Sequence, residues 1–390
     1  MTGALDDRLG EELTRLRAQD LHRLRRVVSG RHGAELVVDG RRCINFCSND
    51  YLGLAGDPRI ARAAQRALEE SGTGSGAAAL VSGYNAEHRA LEEALAAYTG
   101  YPRALLFSSG WAANLGVLRA LLGRDDTLVA DELNHASLID GGRLAGARYL
   151  RYPHADADAA AKQLAVARRG HTTLLATDAL FSMDGDCAPL AALAAACGRA
   201  GASLMVDDAH GFGVLGADGL GTLRLARPDI YVATLGKALG VAGAFVAGSE
   251  TLVDYLVQRA RSWVFSTAPP PALAAAARCG LSIVQAEGQR RERLASLIAE
   301  FRAGAAQRGI ALGASTTAIQ PLVLGGERRA LALSTALLAR GYWVAAIRPP
   351  TVPVGTARLR ITLSAAHTSA QVEGLCDALA AGLRELAQAA

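Results

Sequence analysis

Met205-Val206-Asp207-Asp208-Ala209-His210-Gly211 is the stretch on which the fold turns. Apolar residues run straight into two carboxylates and an imidazole, the pattern of a buried strand ending at a polar edge. Further on, the apolar run Ile230-Tyr231-Val232-Ala233 leads to Gly236-Lys237-Ala238, a lysine between small residues. In open parallel sheets ligands bind beyond the carboxyl ends of the strands, so Asp207, His210 and Lys237 are expected at one edge. Working outward, the sequence predicts strands at 104–107, 127–130, 147–152, 172–177, 203–207, 230–234 and 244–247. Ala- and Leu-rich amphipathic helices, such as 189–200, lie between several of them. Apolar strands alternating with helices predict an α/β fold with a mostly parallel central sheet covered on both faces.

The flanks read differently. Residues 5–28 read as an Arg-rich helix, with Leu9, Leu13, Leu16 and Leu24 spaced for one face. Short strands follow at 35–38 and 42–46. After Pro269-Pro270-Pro271 a long helical stretch leads to strands at 318–324, 342–347 and 358–363, with helices at 329–340 and 369–386. The expected division is an N-terminal helix and strand segment (1–47), a large domain (48–285) and a smaller α+β C-terminal domain (286–390), each of ordinary size.

With 51% hydrophobic and 20% charged residues over 390 positions, the chain reads as globular rather than disordered. No run approaches the roughly 18 apolar residues of a membrane span, and residues 1–19 lack an apolar signal core, so a cytoplasmic protein is expected. A net charge of +4 gives no reason to expect nucleic acid as a partner. Cys43, Cys47, Cys187, Cys197, Cys279 and Cys376 are scattered without metal-ligand spacing, so no metal site is expected.

An acidic group at one strand end and a lysine at another suit pyridoxal phosphate, whose ring nitrogen needs a counter-ion and whose aldehyde needs an amine. The same pair also occurs in ordinary α/β enzymes. Phe107-Ser108-Ser109-Gly110-Trp111 runs from a strand through a small-residue turn into a helix. Helix N-termini bind phosphate, although a Ser at that position also serves as a plain cap. His135, at the start of a helix, is placed to stack on a planar ring or simply to open the helix. Ser182 lies in a polar turn after a strand. Arg348, before Pro349-Pro350-Thr351, suits a carboxylate, and Arg23, Arg25 and Arg26 form either a solvated face or a site for an anionic substrate. The glycine run Gly211-Phe212-Gly213-Val214-Leu215-Gly216 matches a dinucleotide fingerprint but leads into another Gly-rich turn rather than a helix, which argues against that use.

Seven collinear motifs carry a resemblance over nearly the whole chain to the α-oxoamine synthases, pyridoxal phosphate enzymes of the aspartate aminotransferase-like fold (fold type I). They are Ser48-Asn49-Asp50-Tyr51-Leu52-Gly53-Leu54, the Ser-Ser-Gly turn, Asn134-His135-Ala136-Ser137-Leu138, Phe181-Ser182-Met183-Asp184-Gly185-Asp186, the stretch at 206–211, Thr234 to Lys237, and IRPPTVPVGTARLR at 347–360. The resemblance implies that Lys237 bonds the cofactor aldehyde and Asp207 the ring nitrogen. It implies that His135 stacks on the ring, while His210 and Ser182 meet the ring hydroxyl. Ser109, Gly110, Trp111 and Thr234 would hold the phosphate. Ser266 and Thr267 would reach the neighbouring subunit's phosphate, which implies a homodimer with active sites at the subunit interface. Arg348 would grip an amino-acid carboxylate, with Arg23, Asn49 and Thr351 also on the substrate side.

The segment at 347–360 is most like the member that condenses L-alanine with a pimeloyl thioester in biotin biosynthesis, the acyl group being carried by coenzyme A or an acyl carrier protein. The alternatives are a member that uses glycine and acetyl-CoA, or a cofactor-dead scaffold relative. Ala77, Ala78 and Leu80 depart from the polar and glycine residues expected in the loop at 74–83, a departure that bears on acyl-chain recognition.

Overall fold

Every second residue of the central strands belongs to one of two separate hydrophobic cores, and this alternation is what builds the layers. In the computed structural model, which describes residues 3–168 and 170–388, the chain divides into two units: residues 49–182 with 186–292, and residues 3–48 with Met183–Gly185 and 293–388.

The first unit holds a seven-stranded sheet: β1 (Arg103–Phe107), β2 (Thr127–Asp131), β3 (Arg148–Tyr152), β4 (Thr173–Asp178), β5 (Ser203–Asp207), β6 (Ile230–Thr234) and β7 (Ala244–Gly248). Their order across the sheet is β1-β7-β6-β5-β4-β2-β3. Neighbours from β6 through β3 pair in parallel, and only β7 runs against its neighbours β6 and β1. Leu128, Ala130, Leu174, Ala176 and Met205 pack into one core, with Val117 and Leu118 of the helix Gly110–Leu121. Val129, Leu175, Leu204 and Val206 point the other way, against Leu164 and Leu193 of the helices Ala157–Ala165 and Leu190–Ala200. A period of two along buried strands with a helix layer on each face is the α/β arrangement expected from the sequence.

In the second unit, Val28–Ser29, Glu35–Val38, Arg41–Asn45 and Tyr342–Trp343 form one sheet, and Ile319–Gly325, Ala357–Thr362 and Ala345–Ile347 form another. The single strand expected at 342–347 is therefore two short strands in different sheets. The helices Glu327–Ala339 and Ser369–Gln388 match expectation closely.

The N-terminal helix does not reach residue 28. It spans Ala4–Ala18 and buries none of its residues, and Asp20 takes a left-handed φ of 57° just beyond it. Leu24, counted into the apolar stripe, lies outside the helix and is 80% exposed. A leucine period without a partner surface does not hold a helix through such a turn.

Candidate active site

The carboxyl ends of β1, β2, β4, β5 and β6 each deliver a polar group into the first unit. At the end of β5, Asp207 is 6% exposed, and its two oxygens accept from Asn114 Nδ2 at 2.6 Å and from the Ala209 N–H at 3.0 Å. Asn114 also donates to Ser137 Oγ at 2.8 Å, tying the helix Gly110–Leu121 to the helix Ala136–Ala145.

His135 is the N-cap of that second helix. Its Nδ1 lies 2.7 Å from Ser137 Oγ and accepts from the Ser137 N–H at 3.3 Å. An Nδ1 that accepts leaves the proton of the neutral ring on Nε2. His135 is exposed. Desolvation holds its pKa below the usual histidine value, with the charge of Lys237 acting in the same direction and that of Asp207 opposing it. Trp111 stands edge-on to it, 6.1 Å between centroids.

The backbone N–H of His135 donates to Asp178 Oδ2 at 2.5 Å. Asn134 completes this seat, donating to the Ala176 carbonyl and accepting from the Asp178 N–H. Burial first, and then the charge of Asp207, push the Asp178 carboxyl well above the usual range. Lys237 acts on both His135 and Asp178 electrostatically, which places the lysine, the two aspartates and the imidazole in one neighbourhood.

Lys237 sits in the turn that reverses the chain from β6 into β7. The turn is closed by Leu235 N–H to Gly243 O at 2.9 Å, Val241 N–H to Leu235 O at 3.0 Å and Gly240 N–H to Lys237 O at 3.0 Å. Thr234 Oγ1 donates to Gly243 O at 2.9 Å and accepts from the Gly236 N–H at 3.2 Å, so this hydroxyl shapes the lysine turn. Gly240 is obligatory there: its φ is +70°, and a Cβ would lie 2.3 Å from the Ala55 nitrogen.

Ser109 caps the helix Gly110–Leu121, accepting from the Ala112 N–H at 3.1 Å. A Cβ added at Gly110 would meet nothing within 4 Å, so the helix N-terminus opens onto free space, as an anion cup requires. His210, 9% exposed, has its Nδ1 2.5 Å from the Tyr51 hydroxyl. Ser182 follows β4 in the same unit. Ser266 Oγ donates to the Ser262 carbonyl at 2.7 Å, and Thr267 pairs with Ala78 as an isolated bridge.

Asn49 belongs to this unit as well, within reach of Tyr51. Arg23, Arg348 and Thr351 belong to the other unit. There Arg348 is buried and donates through Nη1 to the Asp20 carbonyl, with His22 O at 3.4 Å, while its Nε has no partner. Arg23 donates to Pro349 O at 3.1 Å. Burial, and then the charge of Arg23, lower the Arg348 pKa from the ordinary arginine value.

Reading the sequence missed Asn114 and Tyr51 as working parts. Asn114 had a usable signal: it is a polar residue one turn into an apolar helix, on the face that carries Val117 and Leu118. Also missed was His154, which bridges Asp131 Oδ1 at 3.1 Å and Asp186 Oδ2 at 2.8 Å and draws together residues too far apart in sequence to be paired by spacing.

A supported carboxylate, a lysine, an imidazole beside an indole edge and an open helix N-terminus form the donor set that a planar pyridine aldehyde with a phosphate needs. The residues fit pyridoxal phosphate.

Comparison with known proteins agrees. Residues 41–379 match the family model described as aminotransferase class I and II. The 8-amino-7-oxononanoate synthase of Methylococcus capsulatus is 56% identical over 373 residues, 94% of this chain and 96% of that protein. The enzyme of that name from Thioalkalivibrio sulfidiphilus is 55% identical, covering 96% and 97%. Among solved structures, a serine palmitoyltransferase from S. paucimobilis with bound PLP–myriocin superposes with a TM-score of 0.93 at 28% identity, over 99% of this chain and 100% of that one. An 8-amino-7-oxononanoate synthase from Francisella tularensis gives 0.76 at 30% identity, over 88% and 98%.

Proposed function

Since the chain belongs to the aminotransferase class I and II family, we propose that it catalyses the reaction for which its curated relatives are named. L-alanine and a pimeloyl thioester are joined with loss of carbon dioxide and a free thiol, giving 8-amino-7-oxononanoate for biotin biosynthesis. The observation that carries this reading is identity of 52–56% along nearly the full length of relatives sharing one name, on a chain whose Lys237, Asp207, His135 and His210 lie at or just beyond the carboxyl ends of central strands.

Bound among these residues, pyridoxal phosphate supplies an electron sink for the pair left when a bond at the amino acid's α-carbon breaks. The chain does the rest. Asp207, held by Asn114 and the Ala209 N–H, would pair with the ring nitrogen. Lys237 would hold the cofactor through its aldehyde, and its Nζ, when free, would take the α-proton of the amino acid as a general base. His135 covers the ring, with Asp178 and Asn134 fixing its backbone. Ser109, Gly110, Trp111 and Thr234 hold the phosphate, and His210 and Ser182 the ring hydroxyl. We assign Arg348 to the substrate carboxylate, in competition with the carbonyls of Asp20 and His22, and Arg23, Asn49 and Thr351 to the substrate side.

We further propose a homodimer in which Ser266 and Thr267 complete the partner's phosphate site, working in the cytoplasm. Among the described residues no helix is long and apolar enough to cross a membrane. The acyl donor is a coenzyme A or a carrier-protein thioester.

The test is thiol release by purified protein with L-alanine or glycine crossed with pimeloyl-CoA or acetyl-CoA. Release that needs L-alanine and pimeloyl-CoA together is expected. Turnover with glycine and acetyl-CoA alone would overturn the assignment. A Lys237→Ala protein should lose the yellow colour of the bound cofactor.

A further inference from the structure

Tyr51 is 1% exposed. Its hydroxyl lies 2.5 Å from His210 Nδ1 and 3.3 Å from Asn49 Oδ1. Its ring is tilted 58° to the imidazole, 6.0 Å between centroids. A phenol has one proton to give, and a neutral imidazole has one N–H and one bare nitrogen. Two chains of hydrogen bonds are therefore conceivable. Either Tyr51 donates to His210 Nδ1, or His210 donates to Tyr51 and Tyr51 donates to Asn49.

The distances separate them. At 2.5 Å the Tyr51–His210 contact is the strong bond, whereas 3.3 Å is long for any O–H···O bond. A side-chain amide can also be turned to present its NH₂ to the phenol, since O and N of Asn are assigned from the network around them. The first chain then satisfies all three residues, with Asn49 donating to Tyr51 and Tyr51 donating to His210. Its consequence lies at the far side of the ring: with Nδ1 accepting, the proton of neutral His210 sits on Nε2.

We infer that Tyr51 is a positioning residue which, through a buried hydrogen bond, fixes His210 as the Nε2–H tautomer and so makes it a donor toward the cofactor's ring hydroxyl. The inference rests on the reading of His210 as a cofactor contact, and it adds the direction of the proton. A donor at that place favours the ionised ring oxygen; an acceptor favours the neutral one. Asn49, assigned above to the substrate side, is then also the outer end of this relay. A substrate that engages Asn49 is thereby linked, through Tyr51, to the ring.

The first half is tested on the apoprotein, with no variant in Tyr51. In protein labelled with ¹⁵N-histidine, the His210 signals are identified by their loss in His210→Gln. Nε2–H correlations are expected, and an Nδ1–H tautomer would overturn the proposal. The second half uses Tyr51→Phe, which keeps the ring and deletes the hydroxyl. In the holoenzyme at fixed pH, the ratio of the long- to the short-wavelength absorbance band of the bound cofactor should fall about fivefold, the worth of one ordinary hydrogen bond. Tyr51→Phe that folds, binds cofactor and leaves that ratio unchanged would show that His210 does not pass the effect on. If Tyr51→Phe fails to fold, Asn49→Ala in the same titre of cofactor must lower the ratio in the same direction. A wild-type protein that takes up no chromophore sinks the cofactor reading itself and, with it, the second half, while the tautomer still decides the first.

Discussion

The bridge made by His154 should reveal itself as a pH-dependent part of the stability. Its imidazole meets Asp131 at 3.1 Å and Asp186 at 2.8 Å and packs edge-on against Phe181, 4.3 Å between centroids. The hydrogen bonds to the two carboxylates, Asp131 first, raise its pKa from an ordinary 6.5 to about 10. At about 1.4 kcal/mol for each tenfold change, that displacement sets a ceiling near 5 kcal/mol. The ceiling is not reached. Asp131 is fully buried, but Asp186 is 38% and the imidazole 22% exposed; water screens that side, and exposed pairs are worth about 1 kcal/mol or less. About 2 kcal/mol is expected. The folded pKa lies above the unfolded one, so this stabilisation is complete below about pH 6.5 and is lost as pH climbs to about 10.

The assay is urea unfolding of the wild type and His154→Gln at several pH values. The variant retains the Leu133 and Ala155 N–H donors to Asp131, and the loss of packing on Phe181 is the same at every pH. The gap between the two proteins should therefore be widest near pH 6 and should narrow by about 2 kcal/mol toward pH 10.5. A gap that stays constant, or His154 ring signals that titrate near 6.5, would refute the reasoning.

Three further outcomes follow from the structure. Asp207→Asn should fold and bind cofactor but lose about a hundredfold or more of thiol release, since an amide does not hold the ring nitrogen protonated; near-native rates would remove Asp207 from the chemistry. Gly240→Ala places a Cβ 2.3 Å from the Ala55 nitrogen at a φ of +70° and should cost about 2 kcal/mol or more in urea unfolding, with an equal midpoint counting against the close approach. Phe245, fully buried and edge-on to Phe212 at 5.1 Å, should cost about 3–5 kcal/mol on truncation to Ala, and a loss below about 1 kcal/mol would mean that the core collapses around the gap.

The central sheet was legible because its strands, the edge strand Arg148–Tyr152 apart, are apolar on both faces and end in a polar or glycine turn. Asp207 stood out as the last residue of such a strand, and Lys237 and His135 because they lie just beyond one. What could not be read was whatever depended on partners distant in sequence. Tyr51 and His210 are 159 positions apart, and Asn114 and Asp207 are 93 apart; no periodicity joins them. The N-terminal helix was overextended because leucine spacing speaks to a face, not to whether anything packs on it, and Leu24 has no such surface. The strand expected at 342–347 divides because Trp343 pairs with Asn45 in one sheet while Ala345 pairs with Arg360 in the other, a choice invisible to local sequence.

One strand of the central sheet runs backwards, and the consequence falls on Lys237. Because β7 is antiparallel to β6, the residues between Thr234 and Ala244 need no crossover helix and close on themselves as a hairpin loop. The amine proposed to hold the cofactor is thus mounted on a loop closed by the short-range bonds of Thr234, Leu235, Gly240 and Val241. Such loops form early and independently of distant closure. The cradle that receives the amine is assembled from chain segments scattered from Asn49 to His210, whereas the amine arrives on a prefabricated arm. A substitution in the cradle should therefore leave the arm's own geometry intact.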